Sequence, residues 1–260
     1  MSMDDLMQFR TVHLRAVARS WSDPAFKSRL VADPKGTLKS EFGFDFPWPF
    51  LDLKFGTNGP HWDPQNTGGW FGTSAPATST ASSITLILPV DASRITVTSS
   101  ASSSGTSGPF TPADRAKALS DYYQQRPTLF GAKPAPTGGV IMPQQSFELG
   151  LGSWKDFLEF GGVTLRAIAL AWARPEFATQ VQDDALAALQ AWLGYTCPWN
   201  LRIVVATQAF TWARDRGEWT NLPNNVLEVD LPETPKVDFQ PVALTAYNNT
   251  GSAYPFTCCD

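Results

Sequence analysis

The chain has 260 residues, room for one large domain or two small ones, and its net charge of −4 gives no electrostatic reason to bind nucleic acid or an anionic membrane. Only 17% of the residues are charged, against about a quarter in an average soluble domain, and 19 Gly and 21 Pro are prominent among their replacements. Ten Trp and 17 Phe supply enough core material to exclude a chain disordered throughout, and no apolar run approaches the roughly 18 residues that membrane insertion needs.

The first seven residues, Met-Ser-Met-Asp-Asp-Leu-Met, are acidic where a secretory signal is basic, so the chain is expected to be cytoplasmic as made. Phe9, Val12, Ala16, Val17 and Trp21 recur at helical spacing and predict a first helix with one buried face. Asp23-Pro24 ends that helix and starts another, because Asp caps well and Pro suits the first helical position, where no amide hydrogen is needed. Phe26, Leu30 and Val31 form the inner face of the second helix. Asp33-Pro34 repeats the signal before a third helical stretch that ends near Gly43. Ile84–Pro89 then reads as a strand. Residues 92–110, rich in Ser, Thr and Gly, read as a flexible linker. Thr111-Pro112 starts a short helix through Tyr122-Tyr123, and Pro/Gly-rich sequence from Gly131 to Met142 follows.

The second half repeats the first at a constant offset of 151, with 12 of the 35 pairs between Leu14 and Trp48 identical and no gap. Leu14-Arg15-Ala16 meets Leu165-Arg166-Ala167, Trp21 meets Trp172, Pro24 meets Pro175, Phe26 meets Phe177, and Pro47-Trp48 meets Pro198-Trp199. Ala185 stands where the first copy has Pro34, so the second and third helices of this copy are expected to merge. Leu201–Val205 and Leu227–Leu231 read as strands. The expected class is therefore α+β, with two homologous lobes that each pack a few helices on a small sheet. The expected boundaries are a first lobe over 1–91, a linker over 92–150 with its helix near 112–125, and a second lobe over 151–235. A tail over 236–260 carries Asn-Asn-Thr-Gly-Ser coil chemistry, shows no helical or strand period and is expected to lack fixed structure.

The chemistry-bearing residues argue against catalysis. His13 falls inside the first helix with Thr164 as its counterpart, and His61 has no companion at metal-ligand spacing, so no metal and no cofactor are expected. No phosphate-cradling glycine loop and no G-x-S-x-G is present. Cys197 replaces Phe46 of the first copy and reads as an apolar filler. The tail differs: Thr257-Cys258-Cys259 sets three side-chain nucleophiles in a row on predicted coil. Such a side chain can attack the preceding carbonyl and close a five-membered ring, which loses water to become an azoline and is oxidised to an azole. Thiolates are the better nucleophiles, so Cys258 and Cys259 come first, with Thr257, Ser252 and Thr250 after them. An intermolecular disulfide, half of a metal site or an incidental redox-sensitive thiol pair are the alternatives at this point.

The run from Leu14 to Pro34 resembles the start of a nitrile hydratase α subunit, a segment type that also serves as leader of ribosomally made peptide natural products. The hydratase's metal-binding C-x-x-C-S-C is absent from both copies. The tandem pair, Asp121–Pro127, and the ending Ala246–Gly251 with Tyr254-Pro255-Phe256-Thr257-Cys258-Cys259 resemble precursors of thiazole/oxazole-modified microcins. The resemblance implies a substrate, not an enzyme. Its leader would be recognised by a YcaO-type cyclodehydratase, with Trp21, Pro24, Phe26, Trp172, Pro175 and Phe177 as recognition candidates. A flavin dehydrogenase and a peptidase-containing ABC exporter would be further partners, and the mature bacteriocin-like product would be exported. The alternatives are a non-catalytic scaffold that docks a partner through exposed aromatics around Trp62, Trp70 and Trp219, and a degenerate nitrile-hydratase-like metalloenzyme.

Overall fold

A computed structural model of the chain describes residues 3–48, 51–57, 59–64, 70–71, 82–89, 111–125, 154–199, 201–208, 211–220 and 222–249. In chain order the first half holds α1 (Met3–Ser22), α2 (Pro24–Ala32), α3 (Pro34–Phe42), β1 (Leu51–Gly56), β2 (His61–Trp62), β3 (Trp70–Phe71), β4 (Ser82–Pro89) and α4 (Pro112–Gln125). The second half holds α5 (Trp154–Ala173), α6 (Pro175–Asp183), α7 (Ala185–Leu193), β5 (Arg202–Gln208), β6 (Thr211–Ala213), β7 (Glu218–Thr220) and β8 (Asn225–Asp230). A 3-10 turn at Val237–Phe239 leads into α8 (Gln240–Asn249).

The helix breaks sit where the sequence puts a capping Asp. Asp23 Oδ1 accepts the Phe26 amide at 2.8 Å and Asp33 Oδ1 accepts that of Gly36 at 3.0 Å, each satisfying a donor that a helix start leaves orphaned. The expected merger of α6 and α7 does not occur. Asp184 is extended, with φ −143° and ψ 94°, and its carboxylate accepts the Ala187 amide at 3.1 Å, so the capping residue makes the break without a proline. Asp184→Ala should lower stability by about 1 kcal/mol in urea denaturation; an unchanged midpoint would mean that the surrounding packing alone sets the break. Both third helices stop at a glycine in the left-handed region, Gly43 at φ 68° and Gly194 at φ 64°, where a side chain would be strained.

The class is α+β, with two lobes of similar build. Phe9 meets Trp48 edge-on at 5.4 Å and 89° in one lobe, and Phe160 meets Trp199 at 5.5 Å and 87° in the other. The sheet, however, is shared. Its four strands run in the order β1-β8-β4-β5, parallel at both edges and antiparallel between β8 and β4. Each half therefore gives one edge and one central strand, and its own two strands never pair. Ile84 faces Leu227 across the centre, while Leu53 pairs with Leu227 on one side and Ile84 with Ile203 on the other, which is two-fold pseudosymmetry. Leu53, Phe55, Ile84, Leu86, Leu227 and Val229 bury one face of this sheet, whereas Asp52, Lys54, Arg202 and Glu228 are exposed. The helices α2 and α3 contact β1, and α6 and α7 contact β5.

Two further hydrogen bonds close this seam. Asn225, a buried polar residue of β8, accepts the Ile87 amide on β4 at 2.8 Å. Asp52 Oδ1 accepts from Asn224 and from Lys35, both at 3.1 Å; burial opposes ionisation there, but these donors prevail and hold the carboxyl below its ordinary range.

The tail expected to lack structure from residue 236 is regular over Val237–Asn249, where the 3-10 turn and α8 form. Among the described side chains of α8 only Ala243 and Tyr247, four residues apart, are buried, so a narrow stripe and not a broad apolar period holds it, and tertiary packing supplies the stability that its sequence lacks. The helix expected near 112–125 is α4, started by a reciprocal cap: Asp114 Oδ2 accepts from the Thr111 amide at 2.7 Å and from its hydroxyl at 2.6 Å. Those bonds from Thr111, with Arg214 at 2.8 Å, hold the Asp114 carboxyl below its ordinary range. The rest of the expected linker, 92–110 and 126–150, lies outside the described residues.

Candidate functional site

The modification candidates Thr250, Ser252, Thr257, Cys258 and Cys259 lie outside the described residues, which end at Asn249 in the last turn of α8. The described part of the site is therefore the mount from which that segment departs. Tyr247 is fully buried, its ring 5.5 Å from Trp70 and 6.1 Å from His13. Trp70 donates from Nε1 to the Ala243 carbonyl at 2.8 Å and stacks on Trp21 at 6.0 Å and 22°. Trp21 in turn donates to the Pro232 carbonyl at 3.3 Å. Burial pushes the Tyr247 phenol up, and the charge of Asp230 adds to the effect. The C-terminal helix is thus held on the first lobe, against α1 and β3.

The same device holds α4 on the second lobe, against α5 and β7. Trp219 donates to the Ala118 carbonyl at 2.7 Å, Tyr122 meets Trp219 edge-on at 6.3 Å and 89°, Trp172 lies 6.0 Å from Trp219, and Trp172 donates to the Pro89 carbonyl at 2.7 Å. Each half ends in a helix that crosses to the other half and seats a Tyr beside a Trp. This second clamp is the more polar of the two. Gln125 accepts the Trp219 amide at 2.8 Å and donates to its carbonyl at 3.1 Å, and Asp121 accepts from Trp212 Nε1 at 3.0 Å while pairing with Lys117. The signal that sequence reasoning missed is the Ala-x-x-x-Tyr shared by Ala118–Tyr122 and Ala243–Tyr247, at an offset of 125 instead of 151.

Among the leader-recognition candidates, Trp21, Phe26, Trp172 and Phe177 are buried in the described structure, and Pro24 and Pro175 are exposed beside the caps. The aromatic patch expected around Trp62, Trp70 and Trp219 is not a free surface. Trp219 is buried, and Trp62 and Trp70 are half-buried against the core, because these rings form the sockets for the crossing helices. His13 is buried among Phe9, Phe55 and Tyr247, His61 is exposed on β2, and Cys197 is half-buried with its thiol 3.6 Å from the Trp199 carbonyl. Among the described residues no three His, Cys, Asp or Glu are grouped to hold a metal ion, and no helix is long and apolar enough to cross a membrane.

A family model described as "Ribosomal natural product, two-chain TOMM family" matches residues 4–130 and 155–255. Each matched region runs from the first long helix of a half to just beyond its crossing helix, α4 or α8. No curated protein and no solved structure matches the chain.

Proposed function

The chain belongs to the two-chain TOMM family of ribosomal natural products, and from that premise we propose that everything through α8 is a folded leader while the segment beyond it is the substrate of ring formation. A YcaO-type cyclodehydratase binds the folded part. ATP phosphorylates the oxygen of the amide, the neighbouring thiol adds to its carbon, and the oxygen leaves as phosphate; the thiol and amide protons are released to solvent, a C–S bond and the second bond of C=N replace the two bonds to oxygen, and a thiazoline results. Cys258 acts on the Thr257 carbonyl and Cys259 on that of Cys258; Thr257, Ser252 and Thr250 are slower oxygen nucleophiles. A flavin dehydrogenase then takes two electrons and two protons from each ring, and a peptidase-containing exporter removes the leader and carries the product out.

One observation carries this reading: regular structure runs to Asn249, one residue short of the first candidate nucleophile, and Tyr247 fastens that last turn to the body. An enzyme holding the body then meets a substrate of limited reach, because the eight residues from Thr250 to Thr257 span at most about 30 Å. The test is the intact mass of the full chain after incubation with the cyclodehydratase and ATP. One water should be lost per ring, and Cys258 and Cys259 should resist alkylation after denaturation while Cys197 reacts. The double variant Cys258→Ala, Cys259→Ala should fold normally and lose the thiazoline mass change. An unchanged mass with all three thiols alkylated would refute the reading.

A further inference from the structure

We infer that the two halves of this chain are mutual binding partners that remain joined without a covalent link, and that a second copy of the chain can supply either half. The topology of the sheet supports this pairing independently of ring formation. Every ladder of the four-stranded sheet, β1 with β8, β8 with β4 and β4 with β5, runs between halves. The pairing continues past the strands, where Leu231 donates its amide to the Gly56 carbonyl at 3.0 Å and Glu233 to that of Pro60 at 2.9 Å. Both ends of the seam are also bolted by side chains, Trp21 to the Pro232 carbonyl and Trp172 to that of Pro89. The helices α4 and α8 each leave their own half for the other.

A half by itself would present β1 and β4 with a strand-wide gap between them, and the element that fits this gap is the β8 strand of the other half. The reverse holds for β5 and β8, whose gap takes β4. Such a seam is that of a two-fold dimer whose subunits happen to be connected. α4 and α5 are in contact, and the 28 residues between them in sequence, 126–153, are a length of chain that reaches about 90 Å at full extension. A link longer than its span allows the half from another copy to take the same place.

The experiment uses the full chain with a specific protease site written over residues 99–104, and a second version with the site over 133–138, each cut after folding is confirmed by circular dichroism. Native mass spectrometry and size exclusion should show a single particle containing both pieces, at the elution volume of the uncut chain. The cut at 133–138 leaves α4 on the N-terminal piece, where its docking adds to the seam, so this pair should separate at a higher urea concentration than the pair cut at 99–104. When isotopically labelled and unlabelled cut chains are mixed and refolded from urea, particles with one piece of each label should form. Pieces that elute separately after either cut, or the absence of mixed particles after refolding, would overturn the inference. Should one version fail to fold before cutting, the other carries the test.

Discussion

Replacing Tyr247 with Ala should destabilise the protein by about 3–5 kcal/mol, the range for emptying a fully buried aromatic site. The ring fills the space between His13 and Trp70, and among the described side chains of its helix no other large one is fully buried. The loss should be visible as a shift of the urea midpoint and as new protease cleavage within 237–249, while Tyr247→Phe, which keeps the ring, should lose far less. Under the proposed function the Ala variant would also be a poorer cyclisation substrate, because its terminal segment would no longer depart from a fixed point. A Tyr247→Ala chain with wild-type stability and wild-type protease resistance would show that α8 is held by something other than this socket.

A methyl group at position 59 should do comparable harm by a different route. Gly59 is buried where the chain leaves β1, and a Cβ there would lie 2.2 Å from the Leu231 carbonyl oxygen and 2.5 Å from its carbon. Both are backbone atoms, which cannot swing aside as a side chain would. Gly59→Ala must therefore push β8 away and strain the bonds from Leu231 to Gly56 and from Glu233 to Pro60, at about 3 kcal/mol. Thermal denaturation checks it, and an unshifted midpoint would mean that the two segments approach less closely than described.

These two positions show what the sequence could and could not disclose. The helices were legible because their stops are local chemistry: Asp23, Asp33 and Asp184 cap whatever lies beyond them, and Gly43 and Gly194 end the third helices. Between α6 and α7 the proline is missing, yet the Asp that remains breaks the helix by itself. Strand faces were legible too, since alternation at Ile84–Leu88 and Leu227–Leu231 fixes which residues turn inward. The choice of neighbour was not. A period of two says which face is buried and is silent on which strand lies alongside, so Gly59 looks like an ordinary turn residue until Leu231 is seen against it.

The crossing helices escaped for a related reason. The residues of α8 that matter, Ala243 and Tyr247, form a stripe too narrow to register as a period, and their counterparts lie at a different offset from the one that reveals the repeat. The nucleophiles proposed for ring formation lie outside the described residues and rest on residue type and order alone. The socket that holds α8 was not legible, because it is made by Trp21 and Trp70 on a part of the chain more than 170 residues away.

Interleaving of the sheet also has a consequence for biosynthesis. While the ribosome is still making the first half, β1 and β4 have no strand to lie between them, since β8 comes some 140 residues after β4. The N-terminal region must wait, with an open seam, until β8 has been made. Contacts this distant along the chain form slowly. α8 follows β8 in the chain, so it can seat only on a body whose own assembly has waited for that strand.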